Sequence, residues 1–200
     1  MSTTKTSAQV PKLRFPGFEG AWRECAFGEV ASVKHGFAFD GEHFASEGDF
    51  IVLTPGNFTA DGAFRYQGAK EKFYTSNEFP QEYVLSRGDL LMVMTEQAVG
   101  LIGCTLLVPE DGRLLHNQRL GLIQIHGAAD AEYLHRYFKT ERMRVALSKT
   151  GAGTKVRHTS PKRIEGLQIN LPTVPEQQKI AAFLTAVDGR IEQLSRKKAL

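Results

Sequence analysis

The stretch that most constrains this chain is its end, residues 171–200, LPTVPEQQKIAAFLTAVDGRIEQLSRKKAL. Ile180, Leu184, Val187, Ile191 and Leu194 follow one another in steps of four and three, the repeat of a coiled-coil seam. Thr173 and Glu176 have the spacing of a capping box, and Pro175 falls in the first turn, where its missing N–H costs nothing. A helix over 175–200 would be roughly 39 Å long. Lys198 occupies the next seam position and no Gly, Asn or Pro ends the helix before Leu200, which reads as a shortened chain or a fraying end. A seam of this kind needs a partner: a second helix, or the chain's own domain if the helix folds back.

What precedes the helix reads as mixed and mostly β. Residues 1–10 are a loose polar tail, and 11–24 (PKLRFPGFEGAWRE) mix Pro, Gly and aromatics as an extended, anchored arm. β-branched and aromatic runs then predict strands over 50–54, 64–66, 90–95, 103–108, 120–126 and 166–171. SRGDLLMVMT is the clearest, a Gly-Asp turn feeding an unbroken apolar run, as in a strand covered on both faces. PEDGR at 109–113 carries an Asp-Gly turn and predicts a hairpin. Over 131–147 the apolar period becomes helical, and Ser160/Pro161 open a short turn. The fold class is α+β: a mostly β domain over 11–172, then a long coiled-coil helix over 173–200.

Charge is segregated. Between 136 and 163 there are nine Lys/Arg and one acid, Glu141, so this stretch carries +8 and the rest of the chain −5. Counterion release makes such a face favourable for a polyanion, while a solvated helix surface would carry the same residues. Catalytic signatures are missing. None of the six histidines forms an i, i+4 pair with Glu, and no G-x-S-x-G elbow occurs. The Gly-rich loop at 151–155 fails the Walker pattern because Thr154 separates Gly153 from Lys155. Cys25 and Cys104 read as reduced thiols rather than a disulfide framework or metal knuckle. No apolar run nears the ~20 residues that span a bilayer, and the N-terminus lacks a secretory core; the expected location is the cytoplasm, with no membrane partner.

Three segments together resemble the specificity (S) subunit of type I restriction-modification systems: LRFPGFEGAWRECAFGEVASVKHG, then VLSRGDLLMVMT with GLIGCTLLV and HNQRLGLI, and finally INLPTVPEQQKIAAFLTAVDGRI. The last is the most diagnostic, and the resemblance spans 11–200. It implies a target-recognition domain followed by a spacer helix. A complete subunit holds two such units, their helices packed antiparallel, each domain reading half of a split DNA site. Modification subunits supply methyl transfer from S-adenosylmethionine; restriction subunits, where present, supply ATP- and Mg-dependent translocation and cleavage. This chain has the content of one unit, so it would bind no cofactor or metal, have no catalytic residue, and pair its seam with a second copy. A two-fold dimer would read a split palindrome on double-stranded DNA. A half-subunit that assembles or competes through its helix without reading DNA is the alternative.

The resemblance assigns no base contacts. On physical grounds the candidates are the Gly-rich loop and its flanks, Lys149, Thr150, Lys155, Arg157, His158, Lys162 and Arg163, with Arg157 able to reach guanine. A second set, Thr95, Glu96, Gln97, Asn117, Gln118 and Arg119, lies beside strands, where Asn and Gln can recognise adenine.

Overall fold

A computed structural model describes residues 10–96, 100–153 and 156–198. In chain order the elements are β1 (Arg23–Ala26), β2 (Ala31–His35), β3 (Phe44–Ala45), β4 (Phe50–Val52), β5 (Phe73–Tyr74), β6 (Leu90–Val93), β7 (Thr95–Glu96), β8 (Thr105–Leu107), β9 (Leu114–Leu115) and β10 (Leu120–Ile125). They are followed by α1 (Ala131–Phe138), α2 (Glu141–Thr150), β11 (Arg157–His158), α3 (Pro161–Glu165), β12 (Gln168–Leu171) and α4 (Val174–Lys198).

The apolar run of β6 is explained by what lies on each side of it. It is an inner strand of an antiparallel sheet ordered β2-β10-β6-β8, with Leu120 opposite Val93 and Leu91 opposite Leu106. Successive side chains point to opposite faces. Leu90, Met92 and Met94 join Tyr133, Leu134, Phe138, Met143, Leu147 and Ile164 beneath the helices. Leu91 and Val93 pack with Ile51, Leu53, Phe58 and Leu114 on the other side. Each such side chain contributes roughly 1.5–3 kcal/mol by leaving water. The second layer is a sheet ordered β3-β5-β4-β9, closed by an aromatic cluster of Phe39, Tyr74 and Phe79.

Four expectations need correction. PEDGR closes no hairpin: β8 stays with β6, whereas β9 crosses to the second sheet and runs parallel to β4, Ile51 opposite Leu114. Both side chains of β9 are fully buried there, which fixes the choice of sheet. Residues 64–66 form no strand, only a bridge between Phe58 and Phe64. Side-chain bonds organise that segment instead, with Asn57 Nδ2 donating to Glu71 Oε1 (2.7 Å) and the Gln67 N–H to Glu71 Oε2 (2.7 Å).

The single helix over 131–147 is two helices. Thr140 adopts an extended conformation (φ −61°, ψ 145°), and its hydroxyl donates to the Tyr137 carbonyl (2.7 Å), closing α1 before α2 begins. Finally, the capping box at 173–176 does not form. Glu176 turns away from its own helix and accepts from Arg14 Nε (2.8 Å), Arg14 Nη2 (2.6 Å) and Trp22 Nε1 (3.4 Å).

Candidate nucleic-acid interface

One end of the central sheet gathers the close of β2, the close of β6 and the start of β10. Met94 sits at its centre: its N–H donates to the Arg119 carbonyl (3.0 Å), and its carbonyl accepts from the Thr159 N–H (2.9 Å). The two candidate sets, distant in sequence, therefore flank one residue. β11 lies antiparallel on β7, with His158 opposite Thr95 and Arg157 opposite Glu96, and Thr95 Oγ1 is 3.0 Å from His158 Nδ1. Gln118, Arg119 and His158 are exposed here.

Asn117 has an inward role, since its Oδ1 accepts from the Arg119 N–H (2.9 Å) and shapes the turn that presents Arg119. Gly36 packs so closely on that turn that a Cβ would overlap the Asn117 carbonyl. His116 lies fully buried below, Nε2 3.1 Å from the Leu120 carbonyl oxygen, and burial lowers its pKa to about 4.

Glu96 and Arg157 face each other, Glu96 buried and Arg157 partly exposed. Glu96 is 3 % exposed; its Oε2 accepts three backbone N–H groups, from Gly100 (2.9 Å), Leu101 (2.6 Å) and Ile102 (2.8 Å). Its Oε1 accepts from Arg157 Nη1 (2.8 Å), while Arg157 Nη2 donates to the Ser148 carbonyl at the end of α2 (2.5 Å). The guanidinium expected at guanine is thus held within the domain. Thr150 is also internally engaged: its hydroxyl donates to the Leu147 carbonyl and accepts from Thr159 Oγ1, and its carbonyl accepts from Arg163 Nη1 (2.8 Å). Lys149, Lys162 and Arg163 are exposed on the α2–α3 flank. Gln97 and Lys155 lie outside the described residues. In the sequence Glu96 and Arg157 belong to separate candidate sets, and only their opposite charges hint at the pair.

At the other end of the domain, α4 is rooted by residues whose roles the sequence did not reveal. Gln177, fully buried, accepts from the Asp130 N–H (2.9 Å) and donates to the carbonyls of Ala128 (3.0 Å) and Pro172 (2.9 Å). Arg136 of α1 reaches Asp188 (2.7 Å) and Thr185 (2.8 Å), and Phe15 of the arm stands edge-on to Phe183, centroids 5.4 Å apart. The first half of α4 therefore does lie on its own domain. Beyond it the seam emerges, with Val187 38 %, Ile191 58 % and Leu194 46 % exposed. A groove of about 450 Å³ between arm and helix, lined by Leu13, Phe15, Trp22, Ile180, Phe183 and Leu184, runs into that seam.

Among the described residues no cluster of His, Cys, Asp or Glu could hold a metal ion, and no helix is long and apolar enough to cross a membrane. Cys25 and Cys104 are buried free thiols. Three solved structures share the fold. A type I restriction-modification system S subunit from M. genitalium is 16 % identical, with TM-score 0.63, over 94 % of this chain and 44 % of that one. A chain from a structure on complex assembly and conformational transition of the type I R-M system is 18 % identical, with TM-score 0.62, over 96 % and 43 %. The HsdS subunit from Thermoanaerobacter tengcongensis is 20 % identical, with TM-score 0.58, over 94 % and 42 %. The chain thus spans less than half the length of each. No curated protein matches it. The family model described as "Type I restriction modification DNA specificity domain" matches residues 19–200, and the chain belongs to that family.

Proposed function

We propose that this chain reads one half of a bipartite duplex DNA site as a non-catalytic specificity subunit and holds a methylating partner on that site. The observation that carries this reading is the family match over residues 19–200. The exposed Arg119 at the end of the sheet and Lys149, Lys162 and Arg163 on the α2–α3 flank support it, because exposed cations suit a phosphate backbone. Lys155 adds a further phosphate contact, and Thr95, Gln97, Gln118, Arg119 and His158 address base edges. The modification subunit supplies S-adenosylmethionine and its chemistry; a restriction subunit, where one joins, supplies ATP and Mg. All of this takes place in the cytoplasm.

A second copy completes the reader. The seam is nearly symmetric about Val187, so two α4 helices crossing antiparallel set Ile191 and Leu194 of one copy against Leu184 and Ile180 of the other. Those residues would enter the groove beside the arm and bury its apolar lining. Burial of seam side chains contributes roughly 1.5–3 kcal/mol each, set against the cost of association.

The test joins the purified chain to a modification subunit and maps methylated adenines, with sedimentation analysis alongside. The expected result is a defined two-part palindrome, a dimer for the unaltered chain and a monomer for Leu184→Asp/Ile191→Asp. A monomer in both cases removes the pairing. Assembly without methylation at a defined site favours the alternative of a helix-borne assembly protein that does not read DNA.

A further inference from the structure

We infer that Glu96 and Arg157 are positioning residues for sequence discrimination: they set the reading end of the sheet without touching DNA. The inference rests on the DNA-reading function proposed above. Three N–H groups converging on one oxygen form an anion nest, a device that elsewhere receives a phosphate. Here the chain's own carboxylate fills it, with Glu96 Oε2 taking Gly100, Leu101 and Ile102 at 2.6–2.9 Å. The amides are therefore unavailable to a ligand, and the chain returning towards β8 is pinned to the end of β7.

The other carboxylate oxygen carries the restraint onward. Arg157 bridges Glu96 to the Ser148 carbonyl, so β7, the end of α2 and β11 are joined through one guanidinium. Space is matched to it: a Cβ on Gly151 would stand 3.0 Å from Arg157 Nη2 and 2.8 Å from Ile102 Cδ1. Backbone pairing joins β11 to β7 at Arg157 opposite Glu96 and His158 opposite Thr95, continued by the Thr159 N–H on the Met94 carbonyl (2.9 Å), and His158 exchanges two bonds with Ala152 (2.8 Å each). So short a ladder is weak. The ion pair lies within it and reinforces its register, thereby holding Thr95 and His158 next to Met94, whose N–H donates to the Arg119 carbonyl. Charge-assisted bonds of this geometry are strong and directional, which suits a part whose task is to keep neighbours in place.

The experiment selects duplexes from a randomised pool with the full chain. It then measures affinity for the selected duplex and for a shuffled duplex across a salt series. A general loss of stability lowers the active fraction and affects both duplexes alike, leaving their ratio untouched. Misplacement of the readers lowers the ratio. Glu96→Gln and Arg157→Met are expected to reduce it about tenfold or more, comparable to mismatched base pairs in a site. The slope of log affinity against log salt should stay at the unaltered value, and Arg157→Lys should restore most of the ratio.

An unchanged ratio in folded Glu96→Gln overturns the inference. So does a slope shallower by about 1 in Arg157→Met, which would make Arg157 a phosphate contact. If Glu96→Gln does not fold, Arg157→Met and Arg157→Lys decide by the same criteria. A ratio near one in the unaltered chain defeats the DNA-reading proposal itself, and this inference falls with it.

Discussion

Glu96 and Glu176 are both almost completely removed from solvent, and each is paired with an arginine, yet they do different work at opposite ends of the domain. Glu96 sits where β11 lies on β7 with a side-chain exposure of 2 %, and Glu176 at the root of α4 with 1 %. Glu96 draws three of its four donors from backbone at most six residues away. Glu176 takes only side-chain donors, Arg14 and Trp22, from an arm more than 150 residues earlier in the chain. One carboxylate shapes the path of its own loop; the other latches two finished pieces together. The number of charges buried is the same, so what differs is where the partners can go when the carboxylate is lost.

That difference predicts unequal costs. Removing one partner of a buried pair typically costs 3–5 kcal/mol, because an uncompensated group stays behind. Glu96→Ala is expected in that range, since the Ile102 N–H is buried and Arg157 is confined between β7 and α2. Glu176→Ala should cost less, about 1–3 kcal/mol, because it strands only side-chain donors, which can rotate towards water, whereas the three backbone N–H groups at Glu96 cannot. Urea unfolding of the two variants measures the contrast. The chain's single tryptophan, Trp22, supplies a local reporter: its emission should shift to the red in Glu176→Ala and stay put in folded Glu96→Ala. Equal losses would mean that the arm is bound to the fold as firmly as the loop is.

Acid should weaken both ends together. Each carries a buried histidine, His116 beneath the Arg119 turn and His135 on α1, whose other face holds α4. Burial lowers the pKa of both rings from 6.5 to about 4. Between those values the unfolded chain takes up protons that the folded chain refuses, so stability falls as pH drops through 6.5 and levels off near 4. Above pH 6.5 neither ring contributes to the pH dependence. The full loss is up to about 3 kcal/mol for each ring. Denaturation at pH 7 and pH 5 for the unaltered chain and for His116→Gln and His135→Gln apportions the slope. A slope carried by one histidine alone would show that the ends do not share the load.

The contrast between the carboxylates also shows why some of this molecule is legible in its sequence. The apolar run of β6, the long terminal helix and the mixed fold could be read because periodicity reports how many faces are covered. The anchors could not. Thr173 and Glu176 have capping-box spacing whether or not Arg14 is present to take the carboxylate, and no local pattern announces a donor from the arm. Glu96 beside a strand looks the same whether it faces DNA or its own backbone; what decides is the return of the chain at Gly100. Local turn chemistry was likewise overruled at PEDGR, where two buried leucines chose the distant sheet. Lys139-Thr140 broke a helix without Gly or Pro, through one hydroxyl bond to Tyr137.

A third arginine–carboxylate pair sharpens the comparison because its geometry is as good while its setting is open. Arg136 Nη1 meets Asp188 Oδ2 at 2.7 Å, close to the 2.6 Å of Arg14 with Glu176, yet the Asp188 side chain is 65 % exposed. Solvent reaches the Asp188 carboxylate and screens the attraction, although Arg136 itself is only 16 % exposed, and an asparagine in place of Asp188 keeps a neutral acceptor for the guanidinium. Asp188→Asn should therefore cost less than about 1 kcal/mol, and less still in high salt. Arg136 keeps its bond to Thr185, so the seat of α4 on α1 is preserved. If Asp188→Asn matched Glu176→Ala in urea, exposure would not be the variable that separates these pairs. The hold of α1 on the helix would then rank with that of the arm.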